Sequence, residues 1–287
     1  MSRGRVPDRH PRRPALSQRR LSAKRIAVTE SRCPFLTMPR WLAVPGLVHG
    51  FGDGRWSEAD LEAFAAAKGM TPVVMRQVHG DAVVRLDGPP AAKPEGDALM
   101  TNVPGLLLVI RTADCLPVLL VDAERGAVAA VHCGWRGTQK RILEKAVRAM
   151  GEAYGSKPAD MTAALGPCIG AACYEVGAEV REAYLEAGFP EKVFASRGHV
   201  PEGHVPGQPA GLARRGKEEG RAETWGHVPE VHVPVLKPKY LLDLKAANLG
   251  LLVALGFKKS RISNPGPACS HCEPGLLSYR RNSADPR

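Results

Sequence analysis

Two short apolar runs stand out in the hydrophobic pattern at the middle of the chain. Residues 118–121 and 128–131 are uninterrupted apolar segments, which is typical of strands buried on both faces. The turn-like residues 123–126 separate them, and this spacing favours two adjacent antiparallel strands. Cys115 comes just before the first run and His132 just after the second. The pattern therefore predicts that Cys115 and His132 meet at one end of a sheet.

Helical periodicity appears elsewhere along the chain. Residues 57–69 predict an amphipathic helix with a capping box formed by Ser57 and Asp60. Residues 138–150 carry apolar side chains at helical spacing, with Thr138 as the expected N-cap. Further helices are predicted at 179–187 and from Asp243 to Gly256, and shorter strands at 47–51, 73–75, 82–84, 96–101 and 163–166.

Two segments depart from this globular pattern. Residues 1–38 predict a basic, disordered extension, since nine Lys/Arg and two acidic residues in the first 30 carry +7 of the net charge of +11. Met38 stands shortly before the first predicted strand, so a misplaced start codon is one explanation. Residues 39–287 then form one domain, interrupted by a flexible Pro-, Gly- and His-rich insertion at 196–239.

Charge, hydropathy and cysteine content narrow the function classes. Because the charge lies in the extension, we do not expect the domain to bind nucleic acid. The longest apolar run, residues 105–110, is far shorter than the roughly 20 residues that span a bilayer, so no membrane association is expected. Seven cysteines in a chain of this length favour a reducing cytoplasm over a disulfide scaffold. The oligomeric state, monomer or dimer, stays open.

The candidate chemistry centres on His79, Cys115 and His132. Two imidazoles and one thiolate form a zinc ligand set that leaves a position for water. A metal-free pair is the rival interpretation, with Cys115 as nucleophile and His132 or His79 as base. The sequence spacings of these residues match neither a zinc knuckle nor a helical motif, so residue pattern alone leaves both alternatives open.

Several polar residues and cysteines outside this set are further candidates for binding ligands. A helix that starts after Gly137 would direct its N–H groups toward His132, which makes Thr138 and Arg136 candidates for binding an anion. Cys168 and Cys173 are expected to be small buried residues, since their spacing fits no common zinc knuckle. The Cys269–Cys272 pair is a lone C-x-x-C, so no structural zinc is expected there.

Eight ordered motifs resemble one protein family. They are RQVHG at 76–80, GDALMT at 96–101, TADCLPVLL at 112–120, VHCGWRGT at 131–138, LGPCIG at 165–170, CYEVG at 173–177, LDL at 242–244 and SYRRN at 278–282. The family is that of the laccase-domain proteins, also called multicopper polyphenol oxidases, bacterial purine nucleoside phosphorylases or peptidoglycan editing factors. Cys133 departs from the small residue, usually Ala, at its position, and puts a second thiol next to the predicted metal site.

The resemblance carries expectations about fold and activity. It implies an α/β fold in which mixed β-sheets are covered by helices in a layered sandwich, like that of cytotoxic necrotizing factor. It implies zinc on His79, Cys115 and His132, and phosphorolysis of adenosine, inosine or methylthioadenosine together with adenosine deamination. The implied ligands are therefore purine nucleosides and phosphate. An alternative is a hydrolase that edits peptidoglycan precursors, through zinc-activated water or through Cys115.

Catalytic roles can be assigned within that expectation. Deamination needs a proton shuttle, for which Asp114, Asp97 and Glu175 are candidates, and Cys115, His132, His79 and Asp114 form the expected catalytic set. The residues expected to bind phosphate and substrate are Arg76, Arg136, Thr138 and Asp97. Copper-dependent laccase chemistry is disfavoured, because outside the extension and the insertion the chain has only four histidines, too few for several copper ions.

Overall fold

A six-stranded mixed sheet forms the centre of the fold. The computed structural model describes residues 35–196, 238–264 and 269–283, all of which belong to one unit, Cys33–Arg287. The strands are β1 (Phe35–Leu36), β2 (Phe51–Gly52), β3 (Thr71–Val74), β4 (Val83–Leu86), β5 (Ala98–Thr101), β6 (Leu106–Val109), β7 (Leu116–Asp122), β8 (Ala127–Cys133), β9 (Thr162–Leu165), β10 (Glu175–Gly177), β11 (Phe194–Ser196), β12 (Lys239–Leu242) and β13 (Ile262–Ser263). The helices are α1 (Glu58–Ala67), α2 (Trp135–Gln139), α3 (Ile142–Tyr154), α4 (Ala178–Glu186), α5 (Leu244–Ala254) and α6 (Tyr279–Ser283).

The central sheet has the strand order β13-β9-β7-β8-β5-β4. The inner neighbours pair antiparallel, whereas β4 pairs parallel with β5 and β13 pairs parallel with β9. A three-stranded sheet, β10-β12-β11, and two-stranded pairs, β1-β2 and β3-β6, surround it. This arrangement confirms the predicted α/β class with mixed sheets and helices.

Both faces of the central sheet are covered. One face packs against the apolar side of α3, and α5 packs in turn against α2 and α3 within the main hydrophobic core. The other face, which includes Val121 and Ala164, packs against Met38, Trp41 and Phe51. Burial on both faces explains why β7 and β8 are uninterrupted apolar runs in the sequence.

The paired strands β7 and β8 have the predicted antiparallel register. Leu116 lies opposite Cys133, and Pro117 lies opposite His132. Cys115 directly precedes β7, so its side chain starts beside the last residues of β8. The prediction that the two apolar runs pair and bring Cys115 and His132 to one end of the sheet is confirmed.

The predicted boundary of the N-terminal extension is wrong at its last residues. Phe35 and Leu36 form β1, which pairs antiparallel with β2. The ring of Phe35 packs edge-on against Trp56 and Phe64, and Met38 is buried, with 1% of its surface exposed. A chain started at Met38 would therefore lack a strand of the fold. The rest of the extension lies outside the described residues.

The helix predicted at 138–150 is two helices. α2 ends at Gln139, and α3 begins at Ile142 after Arg141, which adopts a left-handed conformation with φ 63°. The helices α1 and α5 match their predictions, including the capping box of Ser57 with Asp60 and the cap in which Asp243 accepts from the Ala246 N–H. The apolar residues at helical spacing begin at Ile142, so the sequence pattern gives no sign that the helix is interrupted between Gln139 and Ile142.

The predicted insertion at 196–239 lies outside the described residues except at its ends. Those ends belong to β11 and β12, which pair antiparallel with Ser196 opposite Tyr240. The two ends of the predicted insertion therefore lie next to each other. Within the described ranges, none of the helices has the length and apolar character needed to cross a membrane.

Candidate metal centre

Three separate segments bring His79, Cys115 and His132 together. His79 lies at the corner between β3 and β4, Cys115 at the start of β7, and His132 near the end of β8. One potential ligand atom from each residue lies within 4.8 Å of the other two. The two imidazole rings have centroids 5.0 Å apart and are nearly perpendicular. The spacing of these three atoms is compatible with one shared metal ion.

The cluster is open on one side. His132 is buried, Cys115 is half-buried and His79 is exposed. This gradient means that one wall of the cluster is the interior of the sheet and the other faces solvent. Catalytic zinc sites need such an open position, whereas structural zinc sites are closed by four protein ligands.

The backbone next to the cluster is strained. Among the described non-glycine residues, positive φ angles occur at His79 (56°), Asp114 (83°) and Arg141 (63°). The first is a candidate ligand and the second directly precedes one. Such conformations cost about 1–3 kcal/mol each and persist where surrounding contacts hold them. At both positions those contacts come from buried carboxylates.

Asp97 organises two of the three candidate ligands. Its buried carboxylate lies 2.8 Å from Nδ1 of His132, and it accepts the backbone N–H groups of His79 at 3.0 Å and Gly80 at 2.6 Å. The contact to Nδ1 leaves Nε2 of His132 for the cluster. A carboxylate behind a ligating histidine fixes the tautomer and the ring orientation.

Asp97 therefore does not have the position predicted for it. It was expected to bind substrate or phosphate, but its side chain is 0% exposed and its oxygens are already bonded to protein donors. Its place behind His132 makes it a positioning residue. The sequence showed a carboxylate at the end of a strand, but only the sheet pairing of β5 with β8 reveals which ring it faces.

Burial and neighbouring charged groups shift the pKa values of these side chains. Burial opposes protonation of His132, but its hydrogen bonds with Asp97 and Cys115 raise its pKa to about 9. Burial lowers the pKa of His79, and the positive charges of His132 and Arg136 lower it further. Burial opposes ionisation of Asp97, yet hydrogen bonds from His132 and the backbone keep its pKa below the usual value.

Because Gly134 has no side chain, the space between the three clustered side chains stays open. A Cβ atom at this residue would lie 3.1 Å from Sγ of Cys115, 3.5 Å from the ring of His79 and 3.7 Å from that of His132. The three side chains thus surround a space that a methyl group would fill. A soft thiolate and two imidazoles around this space are a donor set that suits zinc. The residues present therefore fit a divalent ion.

Asp114 holds the segment before Cys115 in place. Its carboxylate accepts a 2.6 Å hydrogen bond from Oγ of Ser270 and a 2.8 Å bond from the backbone N–H of Arg280. Its carbonyl accepts the N–H of Ile169 at 2.9 Å. Asp114 was expected to act as a catalytic residue, and the structure shows it linking the C-terminal segment to the start of β7.

The predicted anion-binding residues have different environments. Thr138 is neither an N-cap nor exposed, since it lies inside α2 and its Oγ1 accepts from Nδ2 of Asn248 at 3.0 Å. Its assignment to phosphate is wrong. Arg76 forms an ion pair with Glu95 on the surface. Arg136 is exposed, and its guanidinium stacks 4.4 Å from the ring centroid of Trp135.

Two expectations about cysteines also change. Cys133 does not add a thiol to the metal centre, because its side chain is fully buried in the main core, and burial raises its pKa well above the usual value. Cys168 is buried as predicted. Cys173 is only half-buried, and its sulfur lies in a second cluster with Cys269 and Cys272. Sequence reasoning missed this cluster by requiring a second C-x-x-C.

Comparison with known proteins identifies the family to which the chain belongs. The model of the family described as multi-copper polyphenol oxidoreductase laccase matches residues 57–206, more than half of the chain. The chain belongs to this family. The fold is similar to that of a hypothetical protein YfiH from Bacillus licheniformis, with a TM-score of 0.61 at 24% identity over 87% of this chain and 85% of that one. It is also similar to YlmD from Geobacillus stearothermophilus, with a TM-score of 0.56 at 28% identity over 78% and 74%.

Two curated proteins are similar in sequence to parts of this chain. Purine nucleoside phosphorylase YfiH from Shigella flexneri is 46% identical over 114 residues, 40% of this chain and 45% of that protein. Adenosine deaminase RL5, from an unknown prokaryotic organism, is 34% identical over 197 residues, 68% of this chain and 61% of that protein. The chain thus spans about half the length of the curated relatives it matches.

Proposed function

We propose that this laccase-family protein is a zinc-dependent purine nucleoside phosphorylase that acts on adenosine, inosine and methylthioadenosine and also deaminates adenosine. The observation that carries the proposal is the open cluster of His79, Cys115 and His132, whose ligand atoms lie within 4.8 Å of one another. The names of the relatives, purine nucleoside phosphorylase and adenosine deaminase, supply the reaction class.

Zinc is the metal that this donor set supports best. Two neutral imidazoles and one thiolate leave a net charge of +1 on the centre, and the bound ion would supply Lewis acidity at the open position. The three side chains bind and orient that ion, and Asp97 keeps Nε2 of His132 directed at it. Gly134 leaves room for it.

Arg136 is the side chain that we assign to the anionic substrate. Its guanidinium is exposed, is held over Trp135 and lies close enough to His79 to lower the pKa of that imidazole. A planar guanidinium binds phosphate in a bidentate manner. Phosphorolysis brings a phosphate dianion to a sugar carbon that becomes positively charged, so a fixed cation at the open side of the cluster is required.

The geometry also contains a second candidate mechanism. Cys115, His132 and Asp97 follow one another through hydrogen bonds, which is the order of a cysteine nucleophile, its base and the carboxylate that orients the base. This arrangement would support a metal-independent hydrolase, such as one that acts on peptidoglycan precursors. His79 has no required role in it, which separates the two mechanisms experimentally.

The test uses the purified full chain. Zinc content is measured by mass spectrometry, and adenosine, inosine and methylthioadenosine are assayed with and without phosphate. We expect free purine base only with phosphate, and inosine formation from adenosine in either buffer. A chelator and the His79→Ala variant are expected to remove both activities together with the zinc of this centre. The matched control is His271→Ala, which changes an imidazole outside the cluster and is expected to keep both.

Two results would contradict the proposal. If His79→Ala lost the zinc of this centre but kept full activity, the reaction would depend on the Cys115–His132–Asp97 arrangement and not on zinc. Turnover of a peptidoglycan precursor without phosphate, combined with no reaction of any nucleoside, would replace the substrate class.

A further inference from the structure

A second cluster of three thiols lies apart from the first centre. Cys173 ends a short 3-10 helix (Ala171–Cys173), and Cys269 and Cys272 belong to a turn in the C-terminal segment. Their sulfur atoms all lie within 4.8 Å of one another, and Sγ of Cys173 is 3.4 Å from Sγ of Cys272. None of them is needed by the function proposed above.

The distances agree better with a shared ion than with a disulfide bond. A disulfide holds two sulfurs about 2.05 Å apart and leaves the third thiol with no role. Zinc–sulfur bonds of about 2.3 Å in tetrahedral geometry place sulfurs about 3.8 Å apart, close to the spacing of this cluster. Burial and the hydrogen bonds with Cys272 and Cys269 raise the pKa of Cys173, so the three sulfurs are not all ionised on their own, and a divalent ion binds them by displacing protons.

Backbone N–H groups prepare Cys269 as a ligand. The Gly170 N–H donates to its sulfur at 3.1 Å, and the N–H groups of His271 and Cys272 approach it as well. These contacts outweigh burial and lower the pKa of Cys269. Gly170 can come this close because it has no side chain, since a Cβ there would lie 3.2 Å from the sulfur.

The turn itself is held in shape by its neighbours. The guanidinium of Arg281 donates to the carbonyl oxygens of Ser270, His271 and Glu273. The N–H of Ser270 donates to the carbonyl of Cys168 at 3.0 Å, which fastens the turn to the loop that precedes Cys173. The ligands are therefore positioned by contacts that do not depend on an ion.

We propose that Cys173, Cys269 and Cys272 bind a second, thiolate-preferring metal ion of the zinc type, with an exogenous ligand in the fourth position. Soft thiolates select such ions over magnesium or calcium. An ion there would clamp the C-terminal turn that contains Ser270, and Ser270 donates to Asp114 next to Cys115. The second ion thus supports the segment on which the first centre depends.

The experiment counts ions and identifies their ligands. The full chain is purified with reductant, reconstituted with Zn²⁺ or Co²⁺ alone and desalted, and metal is quantified by mass spectrometry. We expect about two ions per chain in the wild type and about one in Cys272→Ser and in Cys115→Ala. The Co²⁺ form of Cys115→Ala should keep thiolate-to-metal charge-transfer absorption. That absorption should be absent from the Cys115→Ala/Cys272→Ser double variant. In His271→Ala, whose imidazole shares the turn but not the cluster, the absorption should equal that of the wild type.

The outcomes separate this site from the first one. Loss of the ion of the first centre alone would affect the proposed activity and leave this inference intact. The inference is overturned if Cys272→Ser, folded as judged by circular dichroism, binds as much metal as the wild type. It is also overturned if protein purified without reductant contains no second ion and shows a Cys173–Cys272 disulfide in peptide mass spectra.

Discussion

At the scale of single residues, the close packing around Gly134 predicts how an alanine at this position changes zinc affinity. Its backbone, with φ −72° and ψ 170°, is open to any residue, so Gly134→Ala acts only through its methyl group. That methyl would lie 3.1 Å from Sγ of Cys115 and intrude on the space between the ligands. We expect the affinity for zinc at this centre to fall by about 10- to 100-fold, the effect typical of changes around a metal ligand.

The measurement is a competition titration with a chromophoric chelator on Cys272→Ser protein, so that only the first centre binds. The control is Gly250→Ala, which lies on the exposed side of α5 where a Cβ meets nothing within 4 Å. It should keep the affinity and gain about 0.5–1 kcal/mol in unfolding free energy, because alanine is favoured over glycine within a helix. Equal affinities for the two variants would show that no ion occupies the space beside Gly134.

Residue identity predicted which three side chains cluster but not which groups hold them in place. His79, Cys115 and His132 are residue types whose chemistry is metal binding, and the β7–β8 pairing predicted from apolar runs already placed two of them together. A buried aspartate has no such bias, since its role depends on which group it faces. Asp97 was therefore assigned to substrate, although it faces His132.

At the scale of elements, the contact between the C-terminal turn and the start of β7 yields a stability prediction. Ser270 is 4% exposed, and its hydroxyl donates to the buried carboxylate of Asp114 at 2.6 Å. Ser270→Ala leaves that carboxylate with one donor fewer, at a position whose φ of 83° depends on such contacts. We expect the unfolding free energy to fall by about 1–3 kcal/mol.

Urea denaturation of the zinc-loaded protein measures this change. Ser260→Ala is the matched control, because Ser260 is exposed and its replacement should alter stability by less than about 0.5 kcal/mol. Should both variants unfold at the same urea concentration, the turn would not support Asp114.

Long and well-buried helices and strands were the ones that the sequence pattern predicted best. The long amphipathic helices and the strands β7 and β8 carry a strong periodic or continuous apolar signal. Strands such as β10 (Glu175–Gly177) and β13 (Ile262–Ser263) are too short for any period to show, and they exist because a neighbouring strand pairs with them. The start of α2 at Trp135 was missed because Gly134 caps it without a side-chain hydrogen bond.

At the scale of the whole molecule, the insertion joins two strands that are already neighbours. β11 and β12 pair antiparallel up to Ser196 and Tyr240, and a chain that ends and resumes at such a pair needs only a tight turn to connect it. The composition of the insertion predicted its approximate limits, but nothing in a Pro- and His-rich sequence indicates that its two ends form one hairpin. Only the pairing of β11 with β12 shows that the two ends are neighbours.

Replacing residues 198–237 by Asn-Gly is therefore expected to preserve the fold. Shortening a connection from about 40 residues to a few reduces the entropy lost on closing it, which should stabilise the protein by about 1–2 kcal/mol. The shortened chain should keep the zinc content of both centres and its nucleoside turnover, because every ligand residue lies outside the removed segment. Thermal unfolding, metal analysis and the nucleoside assay test this together, with a same-length Gly/Ser replacement as control. A shortened chain that retains its metal and melting temperature but loses turnover, while the Gly/Ser chain keeps it, would show that the length of the insertion serves the reaction.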